Sequence, residues 1–217
     1  ISLPDSIKPK FYRQNFRTVF CEGLLSRRVL LAEGATEAIA FPAVARRLAK
    51  LCSDQYKTLE SIGVCTIDAG SESKIIAMAG LYKGLGKEVI CACDAQDAAT
   101  TASMEAALDL VLMHGETGFE QMVLADTTEA AMERYIDSIT WPQALQAQYP
   151  VPKNDLANAM KTYLSKYKGE GVAADFLVQC EFDEIPQWIR QACLAIQQFC
   201  AGKEDEPETP APVAVEA

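Results

Sequence analysis

Four carboxylates stand where a fold could gather them: Glu33, Glu37, Asp68 and Asp94. Glu33 follows the apolar run Val29-Leu30-Leu31-Ala32 and precedes Gly34, and Glu37 comes four residues later. Asp68 closes the run Gly63-Val64-Cys65-Thr66-Ile67, and Asp94 closes another that ends in Cys91-Ala92-Cys93. A short apolar run that stops at an acid and opens into a helical pattern reads as strand, turn, helix. In an open α/β sheet the carboxyl ends of the strands are where ligand-binding residues collect. Glu37, one helical turn beyond Glu33, can face the same point. Carboxylates converging there suit a hard divalent cation or acid–base work. A single acid after a strand is more often a helix cap or a solvated loop residue. Three in succession shift the balance toward a shared site.

The elements that must position these acids alternate. A strand at 29–32 leads to a helix at about 35–51, in which Pro42 removes one backbone bond and predicts a kink. The second strand, 63–67, is followed by a polar loop and a helix at about 73–84 ended by Gly84 and Gly86. The third strand, 88–93, precedes an Ala-rich helix at about 98–107, and 109–113 reads as a fourth strand. Strands joined by helices imply right-handed crossovers and a parallel sheet. Beyond residue 118 helical patterns at 119–125, 127–140, 153–167, 171–180 and 185–201 take over. The expected fold is α/β, a parallel sheet flanked by helices with a C-terminal helical subdomain. Its expected divisions are a lead-in helical segment (1–28), an α/β core (29–118), a helical appendage (119–202) and a disordered acidic tail (203–217).

Composition narrows the chemistry. The net charge is −10, part of it in the tail, and this argues against a protein that coats nucleic acid with a basic stripe. Any approach to nucleic acid would need metal ions to offset the carboxylates, or basic surface from another domain. There are eight cysteines but no C-x-x-C pair and only one histidine, so zinc is disfavoured and the thiols read as reduced and mostly buried, as in a cytoplasmic protein. No apolar stretch is long enough for a bilayer span. The chain opens on Ile, which predicts a piece of something longer.

The motifs Val29-Leu-Leu-Ala-Glu33-Gly34-Ala-Thr-Glu37, Ile67-Asp68-Ala-Gly70 and Cys93-Asp94-Ala-Gln96 resemble the TOPRIM domain of topoisomerases, bacterial primases, recombination mediators and OLD (overcoming lysogenisation defect) nucleases. The Glu-Gly-x-x-Glu form is similar to the OLD branch, as are Phe41-Pro42-Ala-Val-Ala-Arg46-Arg47-Leu48 and the stretches Lys168-Gly169-Glu170 and Glu184 to Ile189. OLD proteins join an ATPase to a C-terminal TOPRIM nuclease, and this chain has no G-x-x-x-x-G-K-[ST] loop. The resemblance therefore implies the nuclease half: a metal-dependent DNA endonuclease using two Mg2+ or Mn2+ ions, with no ATP site in this fragment. Its implied partners are DNA, an ATPase domain outside the fragment, a helicase and a second copy in a homodimer, with no membrane. Glu33 would lie nearest the scissile phosphate, and Glu33, Glu37, Asp68 and Asp94 would hold the metal, with neutral oxygens from Thr66, Gly70 and Ser71 within reach. A C-terminal lysine would face the phosphate; Lys168 is the first candidate by motif position, then Lys166, then Lys74.

One departure matters. TOPRIM domains usually carry a second acid two residues after the one at Asp94, whereas here Gln96 stands there and Asp97 follows one place late. Asp97 would either substitute or cap the next helix. The departure keeps open a non-catalytic, TOPRIM-like DNA-repair scaffold. A phosphatase with an Asp nucleophile fits less well, because it leaves Glu33 and Glu37 unused. His114 reads as a strand-end residue rather than a general base, and Trp141 and Trp188 as packing residues.

Overall fold

The computed structural model describes residues 21–202. The expected acidic tail, and all but the last residues of the lead-in segment, lie outside them; within the lead-in, residues 21–25 are helical. Four parallel strands form one sheet: β1 (Arg28–Ala32), β2 (Val64–Asp68), β3 (Glu88–Asp94) and β4 (Leu110–His114), in the order β2-β1-β3-β4. Three helices join them: α1 (Ala35–Leu51), α2 (Glu72–Lys83) and α3 (Ala98–Ala107). The α/β reading holds, with strand ends displaced by a residue or so. α1 runs through Pro42 as a single helix. A proline there forfeits one i to i−4 hydrogen bond, which the packing of a long buried helix can absorb.

Both faces of the sheet are covered, and this explains why β1 is apolar after Arg28: Val29, Leu30, Leu31 and Ala32 are all fully buried. Side chains alternate across a strand. Val29, Leu31, Val89, Cys91 and Cys93 meet α2 and α3 through Ile75, Met78, Tyr82 and Met104. Leu30, Val64, Ile90 and Ala92 meet α1 and the helices of the second half. Those helices are α4 (Phe119–Ala125), α5 (Glu129–Ser138), α6 (Gln143–Gln146), α7 (Leu156–Lys166), α8 (Val172–Leu177) and α9 (Gln187–Ala201), with α6 not foreseen in the sequence. Phe41 of α1 touches both Phe119 of α4 and Trp188 of α9, so the helical half shares its core with the sheet.

Arg28 closes the amino end of this assembly. It is fully buried; Nε lies 2.6 Å from Glu88 Oε2, and its other nitrogens donate to the carbonyls of Ile62 and Cys200 at 3.2 Å each. One side chain thus ties β1, β3, the turn before β2 and the end of α9. No disulfide links the eight cysteines, and seven of them lie wholly or partly within the two cores.

Candidate functional site

The chain leaves β1 toward β2 by way of α1, and returns past β1 to β3 by way of α2 on the opposite face. The carboxyl ends of β1 and β3 therefore flank a topological switch point, where the connecting helices diverge and leave a crevice. Glu33 and Asp94 stand at those two ends. Asp94 N donates to Glu33 Oε2 at 3.1 Å, and Glu33 N to Ala92 O at 3.2 Å, so sheet backbone fixes both acids side by side. Gly34 starts α1 and leaves room for Glu37 to turn back: a Cβ there would lie 3.2 Å from Glu37 Oε2.

A pocket of about 420 Å³ opens at this point, lined by Glu33, Glu37, Asp94, Ser71, Lys168 and neighbouring backbone. Lys168 comes from the turn between α7 and α8, far away in sequence. Gly169, at φ +78°, makes that turn possible, and a Cβ on it would press to 3.3 Å on Ala35 Cβ. Gly169 N donates to Thr36 Oγ1 at 3.2 Å, locking the turn onto the first turn of α1. Lys168 Nζ then lies 3.2 Å from Glu120 Oε2.

Sequence reasoning overlooked Glu120. It is the second residue of α4, only 4% exposed, and its Oε1 lacks a hydrogen-bond partner. The available signal was an acid between Phe119 and Met122-Val123, the buried apolar residues of its helix. Its pairing with Lys168 spans the helical half and could not be read from spacing.

The remaining candidates fall elsewhere. Asp68 is exposed at the end of β2, on the far side of β1 from Asp94, and its Oδ1 accepts from Gly70 N at 2.7 Å. It does not line the pocket, though Gly70 and Ser71 of its loop do. Lys166 turns away and donates to Ala144 O at 3.4 Å. Lys74 Nζ sits beside Gly70. Thr66 borders a different pocket, against Pro42 and Arg46. Asp97 caps α3, accepting from Thr100 N at 2.8 Å, and Gln96 Nε2 donates back to Asp94 O at 3.2 Å. Neither supplies the second acid at the third strand end.

Electrostatics mark the pocket as short of positive charge. Burial pushes the Glu37 carboxyl up from 4.5 to about 7, with Glu120 and Asp94 adding repulsion, its own backbone N–H opposing, and Lys168 opposing too. Burial likewise raises Glu33, against the hydrogen bond from Asp94 N, and Asp94, against the Lys168 charge. Burial alone would lower the Lys168 ammonium, but the Glu120 hydrogen bond and the carboxylates of Glu120, Glu37 and Asp94 raise it, so it stays charged. His114 is the in-register neighbour of Asp94 on β4, with Nε2 3.0 Å from Asp94 Oδ1 but out of line for a good hydrogen bond. Burial lowers its pKa, against a hydrogen bond with the Glu116 backbone and the charges of Glu33 and Glu116.

The donor set fits a hard cation. Glu37 Oε2, Asp94 Oδ1 and Glu120 Oε1 are buried oxygens without hydrogen-bond partners, an arrangement that is unfavourable unless something positive approaches. Among the described residues no three ligating side chains converge tightly enough to cage an ion. Mg2+ does not require a cage, because it keeps several waters and is held by one or two carboxylates together with substrate phosphate.

Comparison with known proteins bears on the fold. Residues 24–95 match the TOPRIM domain of overcoming lysogenization defect protein-like sequences. No curated protein matches the chain significantly. The solved C-terminal region of the Burkholderia pseudomallei OLD protein superposes with a TM-score of 0.52 at 17% identity, covering 81% of this chain and 98% of that one. The corresponding region of the Xanthomonas campestris pv. campestris OLD protein gives 0.54 at 16% identity, covering 84% and 98%. At such identities the likeness is one of fold. Residues 24–95 thus form an OLD-like TOPRIM domain, set in a chain with the fold of an OLD C-terminal region.

Proposed function

We propose that this chain is the nuclease region of an ATPase–nuclease protein, hydrolysing DNA phosphodiesters with the help of Mg2+ or Mn2+. The observation that carries the reading is one pocket at a sheet switch point in which Glu33, Glu37 and Asp94 face a charged lysine. Glu33 and Asp94, with Glu37 and Glu120 behind them, would hold the cations. Bound there, such ions lower the pKa of water and stabilise the leaving oxygen of an in-line displacement.

The chain's own groups do the rest. The strand ends of β1 and β3 keep Glu33 and Asp94 fixed, so little reorganisation is needed when a phosphate arrives. Lys168 supplies a point charge to the phosphate oxygens, and Glu120 holds it over the pocket until the substrate competes for it. Glu37, with its carboxyl near neutrality, gives up its proton as positive charge enters. His114 stays neutral and adds no charge beside Asp94. The ATPase partner domain and DNA as substrate belong to this same proposal.

The test is nicking of supercoiled plasmid by the chain. It should occur with Mg2+ or Mn2+, stop with EDTA, and vanish in Glu33→Ala and Asp94→Ala. Undiminished nicking in both folded variants would reject the assignment. The non-catalytic scaffold remains the second reading because of Gln96, which turns back onto the Asp94 carbonyl instead of adding an acid. It requires wild-type protein that neither nicks DNA nor binds divalent cations.

A further inference from the structure

A second pocket, of about 350 Å³, adjoins the first at the end of β4. The two share a wall, because His114 lines the second while its Nε2 lies 3.0 Å from Asp94 Oδ1 in the first. We propose that this pocket receives an unpaired nucleobase belonging to a nucleotide that flanks the cleaved phosphate. The proposal rests on the phosphodiester reading above for its substrate, but its own evidence is separate.

The walls suit a small planar group. Met122 and Pro186 are buried apolar surface, and Trp188 is held rigid, its Nε1 donating to Met113 O at 3.0 Å and its ring set at 81° to His114 with centroids 5.0 Å apart. Enzymes that take a base out of the stack hold it between aromatic and apolar side chains and read its edge by hydrogen bonds. The edge reader here is the exposed side chain of Gln191, one turn along α9, while His114, only 4% exposed, closes the wall with its ring. The volume lies near the lower end of ligand pockets, roughly 300–1,000 Å³, which suits a single ring system better than a larger ligand.

The polar rim excludes a phosphate. Glu116 and Asp126 carry negative charge into the lining, and Asp126 Oδ2 already accepts Gln187 N at 2.8 Å, so the amino end of α9 is capped by an acid. Acceptors on the rim favour bases with an exocyclic amine, cytosine, adenine and guanine before thymine. A phosphate at Glu33 and Asp94 and a base beyond His114 would span two neighbouring strand ends, the spacing of one strand to the next being about 4.8 Å.

The test needs no catalysis. In a Trp141→Phe background Trp188 is the remaining tryptophan, and its emission is followed while the chain is titrated with cytidine, adenosine, thymidine or ribose 5-phosphate in EDTA. Saturable quenching by cytidine and adenosine, weaker by thymidine and absent with ribose 5-phosphate, is expected. Loss of the Gln191 amide in Gln191→Ala should weaken it about fivefold to tenfold. Ala125→Phe, which fills the exposed mouth, should abolish it. No saturable change up to nucleoside solubility, or equal quenching in Ala125→Phe, overturns the proposal. A second arm compares cleavage of single-stranded oligonucleotides with and without an abasic position beside the cleaved bond. A higher KM for the abasic substrate in wild type but not in Ala125→Phe supports the pocket, and equal KM values in wild type overturn it. If nucleosides quench and no DNA is cleaved, the phosphodiester reading fails while the base pocket stands. If DNA is cleaved without quenching, the base pocket fails alone.

Discussion

Replacing Glu37 by Gln tests whether the pocket is held under electrostatic tension. Glu37 is only 5% exposed, and its folded-state carboxyl is raised from 4.5 to about 7, first of all by burial. A group that binds its proton more tightly when folded stabilises the protein at low pH. That stability is fully present below its unfolded pKa and is lost as pH rises through the folded value. At about 1.4 kcal/mol per pH unit, the ionised carboxylate should subtract about 3 kcal/mol from stability above neutrality. Glu37→Gln removes this term while keeping the shape of the side chain. Urea unfolding at a series of pH values should therefore find the variant and wild type nearly equal near pH 4. By about pH 8 the variant should be more stable by up to about 3 kcal/mol, or about 6–12 °C in thermal midpoint for a chain of this size. Mg2+ should narrow the gap at about pH 8 by stabilising the wild type more than the variant, since a ligand that binds only the folded state stabilises it. Parallel stability curves across the whole pH range, or a variant less stable at about pH 8, would refute the reasoning.

Other substitutions separate the site from its supports. Lys168→Ala should lower nicking about a hundredfold or more, with some loss of stability because the buried Glu120 carboxylate loses its partner, and Lys166→Ala should leave nicking intact. Equal losses in the two variants would remove Lys168 from the site. Gly169→Ala puts a Cβ at φ +78° against Ala35, and should cost about 1–3 kcal/mol in urea unfolding and lower nicking by displacing Lys168. Arg28→Ala takes a fully buried cation from Glu88 and from the carbonyls of Ile62 and Cys200, and about 3 kcal/mol or more of lost stability is expected in the same assay.

The sheet was legible because its strands are short apolar runs with turn residues between them, and each strand buried on both faces reads without ambiguity. Glu33, Glu37 and Asp94 could be drawn together from sequence, since a parallel sheet brings strand ends to one edge. Asp68 could not be ranked in the same way. Strand order, invisible in the chain, puts β1 and β3 side by side at the switch point and sends Asp68 to the other side of β1. Asp97 and Gln96 also needed the structure, because an acid after a strand serves equally as a ligand or as a helix cap, and here the cap wins at Asp97. Lys168 was reached through its motif beside Gly169; the physical reason, a left-handed turn docked on Thr36, lies in a contact between distant segments. Glu120 shows the limit most plainly, since a buried acid in a seven-residue helix carries no sign of the lysine it will meet.

The central claim is that the ends of β1 and β3 form a site for catalytic divalent cations. Anomalous diffraction from crystals soaked in Mn2+ tests it directly. The account predicts a peak in contact with the carboxylates of Glu33 and Asp94, on the side facing Glu37 and Lys168. An ordered, accessible pocket with no peak there, or manganese bound only elsewhere on the chain, would contradict it.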